Sequence, residues 1–149
     1  MNIGIIGVGY VGLVSGACFS DLGHFVTCFD VDKKKISNLK RGIIPIYEPG
    51  LTSLVNRNII ERRLRFEDSI EDRIKDFDIL FITVGTPEGR DNKSVDLQNF
   101  YEVGKTIRDL VEPEQVIVIK STVPVGTNRK FSDFINKGKD QKKCRCFES

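Results

Sequence analysis

The stretch GIIGVGYVGLVSG, Gly4 to Gly16, places four glycines, Gly7, Gly9, Gly12 and Gly16, between a short apolar run and a helical pattern. Glycine costs a helix interior roughly 1 kcal/mol relative to alanine, so such a cluster needs a physical reason. Gly7-x-Gly9-x-x-Gly12 directly follows a candidate strand and opens a candidate helix, the setting in which this spacing binds a dinucleotide. There Gly7 permits the tight turn, Gly9 lets a pyrophosphate approach the main chain without meeting a Cβ, and Gly12 allows close helix–strand packing. Gly16, one turn further on, extends that packing. The helix start at Tyr10 and Val11 turns unpaired amides and the positive end of the helix dipole toward the phosphates.

Asp30 strengthens this reading. It ends the next apolar run, eighteen positions after Gly12, where a carboxylate accepts hydrogen bonds from the adenosine ribose hydroxyls. The same carboxylate repels a 2′-phosphate, so NAD is expected over NADP. Lys33, Lys34 and Lys35 could instead neutralise such a phosphate, or form no more than a solvated first turn of the next helix.

Outward from the glycines, short apolar runs alternate with helical patterns. Candidate strands are Ile3–Ile6, Phe25–Phe29, Leu64–Phe66, Ile79–Thr83 and Val116–Ile119, and several are apolar at every position, as parallel strands covered on both faces must be. Val11, Val14, Cys18 and Leu22 recur at helical spacing between the first two strands. Further helices are expected over Lys33–Arg41, Ser69–Lys75, Leu97–Val111 and Arg129–Asn136, with Ser69 and Asp96 as N-caps. The alternation predicts an α/β fold, a Rossmann-like doubly wound parallel sheet with right-handed crossovers. ITVGTPEGR (Ile82–Arg90) and IKSTVPVGT (Ile119–Thr127) place hydroxyl-rich turns after the fourth and fifth strands. Ligands lie outside such strand ends, so Thr86 and Thr122 are candidates to border the nicotinamide half, or else turn hydroxyls that cap nearby backbone.

The 149 residues, 40% hydrophobic and 30% charged with a formal charge of +2, fit one globular domain and exclude disordered, collagenous and strongly cationic classes. The longest apolar runs are too short to cross a bilayer, and MNIGIIG has no basic signal-peptide n-region, so a cytoplasmic chain without membrane or nucleic-acid partners is expected. Cys18, Cys28, Cys144 and Cys146 match neither a secreted disulfide framework nor a zinc or redox spacing; Cys18 and Cys28 read as small core residues. His24, alone in a turn, offers no metal or catalytic partner, and no metal site is expected. The domain is expected over residues 1–136. The segment 137–149, rich in Lys and Arg, reads as a solvated tail, which leaves the sheet without its last strand and Val116–Ile119 on an open, association-prone edge.

The stretches GVGYVGLVSGACFSDLGHFVTCFDVD, IPIYEPGL (Ile44–Leu51), FITVGTP and KSTVPVGT, in this order over residues 1 to about 130, resemble the NAD-binding N-terminal domain of the UDP-glucose/GDP-mannose dehydrogenase family. IPIYEPGL is most similar to the UDP-glucose branch; GDP-mannose and UDP-N-acetyl-hexosamine branches are the alternatives. The resemblance implies that Gly7, Gly9, Tyr10, Val11 and Gly12 meet the pyrophosphate, that Asp30 and Lys35 hold the adenosine ribose, and that Thr86 lies along the cofactor. Thr122 would contact the cofactor near the reacting centre and help position a water, a supporting catalytic role. The family oxidises the C6 alcohol of UDP-glucose to a carboxylate with two NAD through a cysteine thioester, as homo-oligomers. Its glutamate segment, central-helix lysine and asparagine, catalytic cysteine and UDP-sugar domain have no counterpart in these residues. The expectation is a fragment that binds NAD without turnover, with a free-standing NAD-binding or partner-docking module and a decayed remnant as alternatives.

Overall fold

A computed structural model describes residues 1–89, 95–138 and 144–148. Six parallel strands form one sheet in the order β3-β2-β1-β4-β5-β6: β1 (Asn2–Ile6), β2 (Phe25–Phe29), β3 (Leu64–Glu67), β4 (Ile79–Ile82), β5 (Val116–Ile119) and β6 (Arg145–Glu148). β1 lies at the centre, its Ile5 paired with Cys28 on one side and Phe81 on the other. The chain winds outward through β2 and β3, then returns to the far side of β1 for β4, β5 and β6. The reversal leaves a crevice beyond the carboxyl ends of β1 and β4.

Helices α1 (Tyr10–Asp21), α2 (Lys33–Lys40), α3 (Leu51–Ile60), α4 (Gln98–Arg108) and α5 (Thr127–Asn136) cover both faces. Alternation within strands divides the core. Ile3, Ile5, Val26 and Cys28 pack with Leu13, Leu39 and Val55 of the first three helices. Ile6, Phe29, Leu80 and Ile117 pack with Phe100, Ile107 and Phe131 of the last two. Fully burying each large apolar side chain contributes about 1.5–3 kcal/mol, so neither face can be left bare.

Five expectations need correction. The sheet does not lack its last strand: Arg145–Glu148 pair in register with Val116–Ile119, so β5 is not an edge. Of the expected solvated tail, residues 139–143 and 149 lie outside the described residues, but Cys144 is buried, and Asn136 holds its amide at 2.9 Å and its carbonyl at 3.2 Å. Backbone pairing to β5 recruits this strand, whose side chains are mostly exposed and carry no apolar period.

The inner face of α1 is Gly12, Leu13, Gly16, Ala17 and Ser20, while Val11, Cys18 and Leu22 are exposed. A Cβ on Gly16 would stand 2.6 Å from Cys28 Sγ. The helix lies so close to β2 that its small residues, not its branched ones, must face inward. Cys18 is therefore not a core residue, whereas Cys28 is. Ser69–Lys75 forms no α-helix, only a 3-10 turn at Ile74–Asp76. Glu71 accepts from the Ile70 amide at 3.0 Å and from the Ser69 hydroxyl, local bonds that compete with helix formation. The N-cap of α4 is Leu97, and Asp96 Oδ1 accepts from Gln98 N at 2.8 Å, two residues on. The helix α3 was not expected, although Leu51, Leu54 and Val55 carry its apolar spacing.

Candidate functional site

The glycines separate by what each one faces. Gly7 has φ +100, and a Cβ there would lie 2.9 Å from the Thr83–Val84 backbone. A Cβ on Gly12 would collide with the Gly7 carbonyl oxygen. Both are demanded by the fold. Gly9 is different: its φ of −82 suits any residue, and a Cβ would meet nothing within 4 Å. The folded chain itself gives no reason for glycine there, and the open space above it is where a ligand would need a bare main chain. Gly9 is also the N-cap of α1, with no side chain to accept from its first amides and no acid in the first turn. The amides of Tyr10, Val11 and Gly12 thus lack intrahelical acceptors and carry the positive end of the dipole, the makings of an anion site. The phenol of Tyr10 turns away to Glu48 at 2.5 Å, a bond to a carboxylate that raises its pKa, so the Tyr10 side chain is committed elsewhere and only its main chain belongs to this turn.

Asp30 ties this turn to the end of β2. Its Oδ2 accepts from the Val8 amide at 2.9 Å and from Lys35 Nζ at 2.7 Å, and its Oδ1 from the Asp32 amide at 3.0 Å. Asp32 caps α2 through the Lys35 amide at 3.0 Å, which sets the lysine one turn in to reach back. Burial pulls the Asp30 carboxyl upward, but the Lys35 ammonium and the amides of Asp32 and Val8 outweigh it and hold the group below its ordinary value. The acid is anionic at neutral pH, and Lys35 is spent on it. Lys33 and Lys34 remain exposed.

Two turns close the crevice opposite. Thr83, unremarked in the sequence, is 6% exposed and shares its hydroxyl proton between Gly7 O at 2.6 Å and Ile6 O at 3.1 Å, locking the glycine turn to β4. Ser121 does the same between β5 and β4, donating to Val84 O at 2.7 Å. Thr86 Oγ1 donates to Thr122 O at 2.6 Å, so the two candidate threonines are neighbours. The Thr86 hydroxyl acts as a backbone cap, while Thr122 keeps an exposed hydroxyl with no bonding partner among the described residues. The signal for Thr83 and Ser121 was their place at strand ends within the hydroxyl-rich turns.

The glycine turn, the end of β2 and the Thr83–Gly85 turn border a cleft of about 430 Å³. Gly7, Gly9, Asp30 and Lys35 line it together with Thr83, and Asn99, Glu102 and Thr106 of α4 form a wall that sequence reasoning did not name. Tyr10, Val11, Gly12, Thr86 and Thr122 lie outside its lining. Ile6, Ile70, Val84 and Val103 give it apolar surfaces. The arrangement offers main-chain donors for an anion, a carboxylate for hydroxyls and an apolar slot for a flat ring, and so fits a dinucleotide.

No cysteine lines the cleft. Burial pushes the Cys28 thiol up to about 12 and Cys146 up to about 11, and Cys144 Sγ donates to Glu112 O at 3.2 Å. His24 sits just before β2, at the other end of the sheet. No helix among the described residues is long and apolar enough to cross a membrane.

Residues 1–148 match the model of the UDP-glucose/GDP-mannose dehydrogenase family, NAD binding domain. Over 136 residues the chain is 47% identical to the UDP-glucose 6-dehydrogenase TuaD of Bacillus subtilis, which covers 91% of this chain and 29% of that protein. The UDP-glucose 6-dehydrogenase of Rhizobium meliloti is 47% identical over 135 residues, 91% of this chain and 31% of that protein. Among solved structures, a UDP-glucose dehydrogenase from Pyrobaculum islandicum superposes with a TM-score of 0.86 at 33% identity over 99% of this chain and 35% of its own. A ternary complex of GDP-mannose dehydrogenase from Pseudomonas aeruginosa gives 0.87 at 33% over 98% and 35%. The chain spans about a third of the length of these relatives.

Proposed function

The chain belongs to the UDP-glucose/GDP-mannose dehydrogenase family as its NAD-binding domain, and on that premise we propose that it is the cofactor-holding part of a UDP-glucose 6-dehydrogenase that binds NAD but turns nothing over by itself. The observation that carries the reading is Gly9, whose missing side chain leaves open space beside unpaired helix amides. In this reading the pyrophosphate rests on Gly7, Gly9 and the amides of Tyr10, Val11 and Gly12. Asp30, steadied by Lys35, accepts from the adenosine ribose and excludes a 2′-phosphate. Thr86 fixes the turn beside the nicotinamide half, and the Thr122 hydroxyl lies nearest the reacting centre. Bound NAD supplies a hydride acceptor.

Oxidation of an alcohol to a carboxylate through a thioester needs a thiolate with a base in reach. The thiols of Cys28 and Cys146 are held protonated by burial, and no cysteine reaches the cleft, which supports binding without turnover. The UDP-glucose branch is favoured because the curated relatives named above act, by name, on UDP-glucose. UDP-glucose and homo-oligomer contacts belong in this reading to the rest of a full-length enzyme, and the free thiols fit a cytoplasmic setting. Calorimetric titration tests the proposal: saturable binding of NAD is expected, with NADP weaker by at least about tenfold, a difference of 1.4 kcal/mol. A soluble, folded chain that gives no heat with millimolar NAD would sink it.

A further inference from the structure

At the amino ends of the strands, opposite the cofactor cleft, lies a second cleft of about 330 Å³ lined by four arginines, Arg62, Arg63, Arg65 and Arg73, and one carboxylate, Asp76. We propose that this cleft is a binding site for a phosphate dianion, free or as a monoester, and that it fills independently of NAD. Two of its guanidinium groups are already fixed in place. Arg63 Nε donates to Ser20 O at 2.9 Å and Asn58 Oδ1 at 3.1 Å, and its Nη2 pairs with Glu61. Arg73 is braced between Asp76 at 2.5 Å and Glu67 at 3.0 Å. Arg62 and Arg65, in contrast, have no side-chain hydrogen bond or ion pair among the described residues, and the four arginines outnumber the carboxylates of Glu61, Glu67 and Asp76 by one.

Two further features single the place out. Arg62 follows α3 in the left-handed conformation, φ 59, with its amide on Ile59 O at 3.0 Å and the Arg63 amide on Asn58 O at 3.0 Å. This helix-ending position favours glycine, and a strained long side chain there calls for a compensating use. Thr27 also lines the cleft; it is 5% exposed, and its hydroxyl has no hydrogen-bond partner among the described residues. A phosphate oxygen satisfies that donor, while Arg62 and Arg65 offer the forked donors that phosphate takes best. The site begins where β1, β2 and β3 begin, and the glycine turn lies beyond the opposite ends of the same parallel strands.

The test is a thermal-melting titration of the whole chain with inorganic phosphate against chloride of equal ionic strength, alone and with saturating NAD. A saturable rise in the midpoint is expected, with the same phosphate affinity in both arms. Arg62→Gly relieves the backbone strain and so keeps the fold; it and Arg65→Gln should each weaken phosphate by about tenfold or more while NAD binding is unchanged. Glycerol 3-phosphate separates the sources: tighter binding than inorganic phosphate identifies an ester, equal or weaker binding the free ion. The proposal is overturned by equal melting in phosphate and chloride, by phosphate binding abolished with NAD present, or by a folded Arg62→Gly, Arg65→Gln double variant of unchanged affinity.

Discussion

Gly9 and Gly12 sit three residues apart in one motif and are expected to fail in different ways. Gly9→Val places its Cβ where no protein atom lies within 4 Å, so its melting midpoint should stay within a few degrees of the parent, while NAD affinity falls by about a hundredfold or more, roughly 2.8 kcal/mol. Gly12→Ala strikes the Gly7 carbonyl and should cost about 1–3 kcal/mol of stability as well as binding, by the general cost of overpacking. Chemical denaturation beside calorimetry separates the two. At Asp30 the folded state holds the carboxyl below its ordinary value, so its stabilising effect is complete above the usual carboxylate range near 4 and is lost as pH falls through the lowered value. Asp30→Asn should flatten that acid limb of the stability curve. It should also narrow the gap between NAD and NADP, read by titrating both.

Packing between elements makes its own demands. Gly16 on α1 faces Cys28 on β2 with room for neither to grow, so Gly16→Ala should destabilise by about 1–3 kcal/mol. Cys28→Ala removes the obstructing sulfur, and the double variant should recover part of the loss, a coupling that urea unfolding of all four proteins measures. The strand β6 depends on a different device. Asn136, at the end of α5, grips both backbone groups of Cys144; Asn136→Ala should cost about 1–3 kcal/mol by removing both bonds. Amide exchange at Arg145–Glu148 should accelerate before that of β1, because this edge strand has one partner and few buried side chains.

For the molecule as a whole, the chain with NAD and UDP-glucose should give no NADH by absorbance; steady formation would overturn the claim that it cannot turn over alone. Much of this architecture was legible along the chain. Apolar runs, glycine spacing and the acid at position 30 are local features, and the needs of a strand, a tight turn and a helix start are met by residues close in sequence. That is why the doubly wound sheet, five of its strands and the residues of the glycine turn could be named from order and spacing alone. What tertiary structure decided depends on segments far apart meeting: the inward turn of the small face of α1 against Cys28, the recruitment of Arg145–Glu148 by the edge of β5, the lacing of Gly7 to Thr83 and of Thr86 to Thr122, and the arginine cleft between β2, β3 and the turn at Arg73. Close approach and backbone pairing select these arrangements, and neither leaves a periodic mark in the residues that take part.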